Sequence, residues 1–231
     1  MLTEQYKNML SGKSVIRQLS EFATERGKEI GYENVFDYSL GNPSVPVPEK
    51  FTEVMIKMLQ EKSPVALHGY SPSLGIPEVR EKVAASLQKR FGIPYTKDHI
   101  FMASGAAGAL AHAFRLVTQP GDEILTFAPF FPEYHPYVDL TGAVLKVVPA
   151  NTADFQINFT AFEEMVNEKT MAILINTPNN PSGIVYSTET IQKLAAVLTK
   201  KAEEFGHPIY IISDEPYREI AYDGVEVPYV T

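Results

Sequence analysis

The 231-residue sequence contains no cysteine. That excludes a disulfide framework, a cysteine nucleophile and a thiolate metal site. Its five histidines, His68, His99, His112, His135 and His207, are far apart and show no ligand spacing, so no metal site is expected. Positive charge is scarce. The 20 Lys and Arg stand against 28 Asp and Glu, for a net charge of -8, and they form no basic stripe. A general nucleic-acid binder is therefore disfavoured. No apolar run approaches the ~20 residues of a membrane span. The opening stretch MLTEQYKNMLSGKSVIRQLSEF lacks the apolar core of a signal peptide, so a cytoplasmic location is the default expectation. Internal repeats and low-complexity tracts are absent too.

What is present is an ordinary globular composition, 45% hydrophobic and 21% charged, enough for one large domain plus a small appendage. Residues 1–50 read as irregular, with a short amphipathic piece around Val15 to Phe22 and the turn-rich LGNPSVPVPEK. They are expected to form an extended N-terminal arm belonging to a smaller domain. Residues 51–231 are expected to form the large domain. Phe51, Val54, Met55, Met58 and Leu59 share one helical face. Ile76, Val79, Val83, Leu87 and Phe91 mark a second helix, ended by Gly92 and Pro94.

Five apolar runs follow: HIFMA (99–103), EILTFA (123–128), AVLKVV (143–148), MAILIN (171–176) and IYIIS (209–213). Helical patterns intervene near 106–118, 132–141, 160–168 and 188–205. In the last, Ile191, Leu194, Ala195, Leu198, Ala202 and Phe205 form the predicted buried stripe. This alternation predicts a three-layer α/β/α fold with a mostly parallel sheet. Ligands of such sheets sit at the carboxyl ends of the strands.

The last run is followed by SDEPYRE, which places Asp214, Glu215 and Tyr217 at a buried strand's end. A buried carboxylate is costly unless a positive charge or donors meet it. Helix capping by Asp214 and a solvated Glu215 are the plain alternatives. The other strand ends frame the question. ASGAAGAL (103–110) opens a helix with small residues, which suits either phosphate contact at the helix N-terminus or tight helix–sheet packing. It matches neither GxGxxG nor GxxxxGK[ST]. APFFPEY (128–134) offers aromatics as a plate for a planar ligand or as core. INTPNNPSG (175–183) sets Asn180 on a turn made rigid by Pro178, Pro181 and Gly183. A phosphate cradle, an aromatic plate, an amide and a carboxylate beside a phenol together suit a planar, phosphorylated, cationic heteroaromatic. Pyridoxal phosphate fits that description.

With these segments the sequence resembles the pyridoxal-phosphate-dependent aminotransferases of class I/II, in the aspartate aminotransferase superfamily of fold type I. LGNP, HGYSPSLGIPEVRE, ASGAAGAL, PGDEILTFAPFFPEY, INTPNNPSG and SDEPYRE carry the resemblance, over residues 36 to 223. It implies amino-group transfer between an amino acid and a 2-oxo acid, hence a part in amino-acid metabolism. It also implies a role for each matching residue. Gly105, Ala106 and Ala107 would bind the cofactor phosphate, and Phe131 would stack on the ring. Asn180 and Tyr217 would bond the ring O3′, and Asp214 would pair with the protonated ring nitrogen. Tyr70 would reach the phosphate of the partner subunit in a homodimer, and Gly41 would lie by the substrate carboxylate, near Asn180. Cis peptides are implied before Pro129 and Pro181.

The resemblance also implies a lysine that carries the cofactor as a Schiff base, in a Ser-x-Ser-Lys motif after SDExY. None stands before Thr231; Lys193, Lys200 and Lys201 fall on the helix before the Asp214 strand. No catalytic residue is therefore expected within these 231 residues. The chain reads as the N-terminal portion of a longer enzyme, inactive and poorly soluble alone. Another fold-type I enzyme (a C–S lyase, decarboxylase or synthase) and a non-catalytic module of the same fold are the alternatives.

Overall fold

The structure is a computed structural model in which residues 4, 7, 15–41 and 45–230 are described. The chain divides into two compact units, Met1–Tyr70 and Ser71–Thr231. Among the described residues, no helix is long and apolar enough to cross a membrane.

In the first unit, helix α1 spans Val15–Ile30. The sequence pattern predicts only a short piece to Phe22, with irregular chain after it. The second half, ATERGKEI, carries charge where a stripe would show, but Ala23, Glu25, Arg26, Lys28 and Glu29 are good helix formers. Pairs at i,i+3, Lys28–Glu25 at 2.7 Å and Arg26–Glu29 at 2.8 Å, add a few tenths of a kcal/mol each. Gly27 is the buried residue of α1, and the close Tyr32 ring, 2.3 Å from where a Cβ would stand, leaves no room for a side chain. Helix α2 spans Glu49–Glu61 and α3 spans Pro64–His68, where the Ser63 hydroxyl accepts from the Ala66 N–H. The predicted apolar face of α2 forms, but its residues are exposed: Phe51 at 58% and Leu59 at 60%. Asn42 and Pro43 of the LGNP segment lie outside the described residues.

The second unit begins with α4, Pro77–Phe91, closed as expected by a left-handed Gly92. The predicted strand at 99–103 is absent. A one-turn 3-10 helix ends at His99, and the chain then runs extended into α5, Gly105–Val117. A strand exists only by pairing. This segment's one backbone bond to a residue distant in sequence is Met102 N–H to the Leu74 carbonyl at 3.3 Å, and Phe101 and Met102 are exposed.

The other four runs become strands: β1 Glu123–Phe127, β2 Val144–Val148, β3 Thr170–Asn176 and β4 Tyr210–Asp214. They form one parallel sheet in the order β2-β1-β3-β4. The crossovers are α6 (Tyr134–Asp139), α7 (Phe159–Met165) and α8 (Thr188–Phe205). Both faces are covered, which gives the three layers. Leu125, Phe127, Ile173 and Ile175 pack against Phe162 of α7 and Leu194 and Leu198 of α8. Their alternates Ile124, Ala172 and Leu174 pack against Leu110 and Phe114 of α5 and Tyr134 and Val138 of α6. Each fully buried Leu or Ile contributes about 1.5–3 kcal/mol of transfer energy. Of the predicted α8 stripe, Ile191, Leu194 and Leu198 are buried, Ala202 and Phe205 half-buried, and Ala195 exposed. Ala195 opens onto a groove bounded by Ile209 and by Ile211 of β4, a strand whose only neighbour among the described residues is β3.

From β1 the chain crosses to β2 on one side, and from β3 to β4 on the other. The direction of winding reverses between β1 and β3. Their carboxyl ends therefore flank a crevice not closed over by a crossover.

Candidate functional site

A cavity of about 150 Å³ lies at that edge. Its walls are Ala106, Ala107 and Leu110 of α5, Phe131 and Tyr137 beyond β1, Asn176 and Asn180 at the end of β3, and Asp214, Pro216 and Tyr217 at the end of β4. Segments separated by more than 100 residues in sequence meet there because all four lie at the same sheet edge.

Asp214 is the last residue of β4, in register with Asn176, and is buried. Its carboxylate accepts a hydrogen bond from the Tyr134 hydroxyl, which reaches Oδ2 at 2.6 Å from the first residue of α6. Oδ1 has no hydrogen-bond partner among the described residues, although Asp214 lines the cavity. Burial pushes the Asp214 carboxyl above the usual carboxylate range; the Tyr134 bond opposes this, and the charge of Glu215 adds to it. Tyr134 is fully buried, and burial, then the bond to Asp214, raises its pKa, so it stays a donor. Tyr137, one turn further along α6, is raised by burial, by Glu133 and by Asp214. Burial thus works against the charged form of Asp214, a residue of the cavity wall with one carboxylate oxygen unpartnered among the described residues. A cationic N–H donor is the ligand group that relieves both.

Two asparagines stand side by side after β3 and do different work. Asn179 builds the turn. Its side chain accepts from the Ser182 N–H at 3.0 Å and the Ser182 hydroxyl at 2.7 Å, and donates to the Pro129 carbonyl at 3.3 Å. Asn180 faces the cavity and donates to the Tyr217 hydroxyl at 3.4 Å. Asn176 holds both strand ends: its amide donates to the Asp214 carbonyl at 2.8 Å and accepts from the Asn180 N–H at 2.6 Å. The peptides before Pro129, Pro178 and Pro181 are cis.

At the opposite wall is the N-terminus of α5. Gly105 has φ 73°, a left-handed value that a side chain disfavours. Its N–H is bonded to the Ala103 carbonyl at 3.1 Å. Ala106 and Ala107 occupy the first turn, where helical N–H groups lack intrahelical acceptors and the helix end is positive. The cavity therefore offers, in one place, anion-binding N–H groups, the Phe131 ring, an amide–phenol pair and an open carboxylate oxygen.

Of the residues predicted from sequence, Ala106, Ala107, Phe131, Asn180, Asp214 and Tyr217 come together here. Gly105 adjoins the wall without lining it. Gly41 and Tyr70 belong to the first unit and are exposed. Sequence reading missed Tyr134, Tyr137 and Asn176. Tyr134 had one signal, a tyrosine three residues after Phe131 at a helix start.

The family model of aminotransferase class I and II matches residues 33–229. The aspartate aminotransferase of Thermotoga maritima is 35% identical over 191 residues, 82% of this chain and 48% of that protein. A probable aspartate aminotransferase of Methanocaldococcus jannaschii is 31% identical over 223 residues, 96% of this chain and 54% of that protein. A crystal structure of an aminotransferase from Eubacterium rectale matches with a TM-score of 0.95 and 45% identity, over 100% of this chain and 58% of that one. The chain thus spans about half the length of the relatives it matches. Fold, motif order and sequence agree, and the chain belongs to the class I and II aminotransferases.

Proposed function

We propose that the protein carrying this chain is a pyridoxal-phosphate-dependent aminotransferase, moving an amino group between an amino acid and a 2-oxo acid. The observation that carries the reading is the open Oδ1 of a buried carboxylate beside the Asn180–Tyr217 pair. The donor set fits the cofactor. Ala106 and Ala107, with Gly105, hold its phosphate at the α5 N-terminus, and Phe131 covers the ring. Asn180 and Tyr217 hold the ring oxygen. Asp214 keeps a proton on the ring nitrogen, because a carboxylate there raises that nitrogen's pKa. Tyr134 fixes the rotamer of Asp214. Bound pyridoxal phosphate supplies an electron sink for the pair left when the substrate Cα loses its proton.

No lysine lines the cavity among the described residues. Gly41 serves the substrate carboxylate, and Tyr70 serves the partner subunit of a homodimer. Exposed apolar side chains in the first unit support the dimer: Phe36 at 80%, Val65 at 82% and Tyr70 at 108%. The arm-and-large-domain organisation, 1–50 and 51–231, belongs to the same reading, as does a cytoplasmic location, which cell fractionation tests.

The functional test is amino-group exchange by the full-length protein, with an amino acid and 2-oxoglutarate. The first donor to try is aspartate, after the relatives' names. Formation of the donor's keto acid with glutamate is expected. Release of ammonia or carbon dioxide instead would point to a lyase or decarboxylase of the same fold.

A further inference from the structure

We propose that Arg218 is the positioning residue for Tyr217: its guanidinium clasps the returning segment Val227–Tyr229 and so fixes the turn that carries Tyr217 to the cavity. This rests on the cofactor reading above and deepens it.

Beyond Asp214 the chain leaves the sheet, and ladder bonds no longer hold it. The turn has two backbone hydrogen bonds, Arg218 N–H to the Glu215 carbonyl at 3.4 Å and Ile220 N–H to the Tyr217 carbonyl at 2.9 Å. The first is long for an amide bond. Side chains supply the remaining constraint, and they divide by role. Asp214 and Tyr217 line the cavity, whereas Ser213, Glu215 and Arg218 do not and bond in series instead. The Ser213 hydroxyl donates to Glu215 Oε1 at 2.7 Å, and Arg218 Nε donates to Glu215 Oε2 at 2.7 Å. Arg218 Nη1 then donates to the Val227 carbonyl and Nη2 to the Pro228 carbonyl, each at 2.8 Å.

The guanidinium carbon also lies 5.2 Å from the Phe91 ring centroid and 5.0 Å from that of Tyr229. Those two rings stack at 4.3 Å. The Arg218 side chain is 10% exposed, against 43% for Arg90 at the same corner, which pairs with Glu219. Arg218 is therefore a desolvated fork joining the residue after Asp214, the C-terminal end of α4 and the segment at 227–229. A planar guanidinium makes all of these contacts at once, whereas an ammonium is a point donor on a flexible stem.

The test is titration of the full-length protein with pyridoxal phosphate, for wild type, Arg218→Ala, Tyr217→Phe, the double variant and Arg218→Lys. Arg218→Ala is expected to weaken binding about tenfold, the scale of one well-made hydrogen bond. Arg218→Lys should recover only a minor part of that loss. With Tyr217→Phe in place, the Arg218→Ala effect should shrink to about twofold or less, because the hydroxyl being positioned is gone. Equal effects in both backgrounds, or wild-type affinity in Arg218→Lys, would overturn the positioning role and leave Arg218 a stabiliser of the fold. Should Arg218→Ala fail to fold, Arg218→Lys and Arg218→Gln carry the same cycle. Absence of binding by the wild type would overturn the cofactor reading, and this inference with it.

Discussion

β3 and β4 lie side by side and end in register, at Asn176 and Asp214, yet they are held differently. β3 has a strand on each side, and six of its seven residues are buried. Among the described residues β4 has one neighbour, and only Asp214 among its five residues is buried. Core packing therefore fixes β3, while the position of Asp214 depends on polar bonds: Asn176 to its carbonyl, Tyr134 to its carboxylate, and the clasp behind the turn. Within this chain Asp214 therefore stands on the more weakly packed strand, and its surroundings are expected to loosen before β3 does.

Four substitutions probe that contrast, from the largest effect to the smallest. Leu174→Ala, in the middle of β3, should cost about 2–5 kcal/mol in urea unfolding, because Leu174 is fully buried between two helices' side chains. Ile211→Ala in β4, half-buried beside the open groove, should cost less than half as much. Equal costs would remove the contrast. Asn176→Ala strips a bond from each of two strand ends and should cost about 1–3 kcal/mol, with weaker cofactor binding as well. Tyr134→Phe keeps the packing and removes one bond, for about 1 kcal/mol.

The pH dependence is the smallest effect and carries a definite sign. The Asp214 carboxyl has a raised pKa in the folded protein, so folding favours its protonated form. Without a cationic ligand, this residue's contribution to stability is greatest below the ordinary carboxylate range. It declines as pH rises through that range to the raised folded value. The melting temperature of Asp214→Asn should lack this decline. Because the Tyr134 bond lowers the Asp214 pKa, Tyr134→Phe should extend the decline to higher pH.

Periodicity made most of the second unit legible. Alternation of apolar runs with helical stripes located four strands and the helices between them, because burial on both faces leaves that mark on sequence. The run at 99–103 is similarly apolar, but among the described residues no strand lies beside it, and pairing is invisible to composition. The second half of α1 was missed for the converse reason: its helix rests on propensity and local ion pairs, without an apolar stripe. At the cavity, motif residues on turns were legible because Pro, Gly and Asn restrict the backbone in recognisable ways. Tyr134 and Asn176 were not. Their bonds to Asp214 span 80 and 38 residues, and only the sheet's winding brings those partners together.

Asp214 is proposed as the counter-charge for a cationic ring bound in this cavity. The most direct test is the dissociation constant of pyridoxal phosphate for the full-length protein and its Asp214→Ala variant, with Asn180, Tyr217 and the α5 N-terminus intact. Binding by the wild type and a loss of about tenfold or more in the variant are expected. Affinities within about twofold of each other would contradict the counter-charge role.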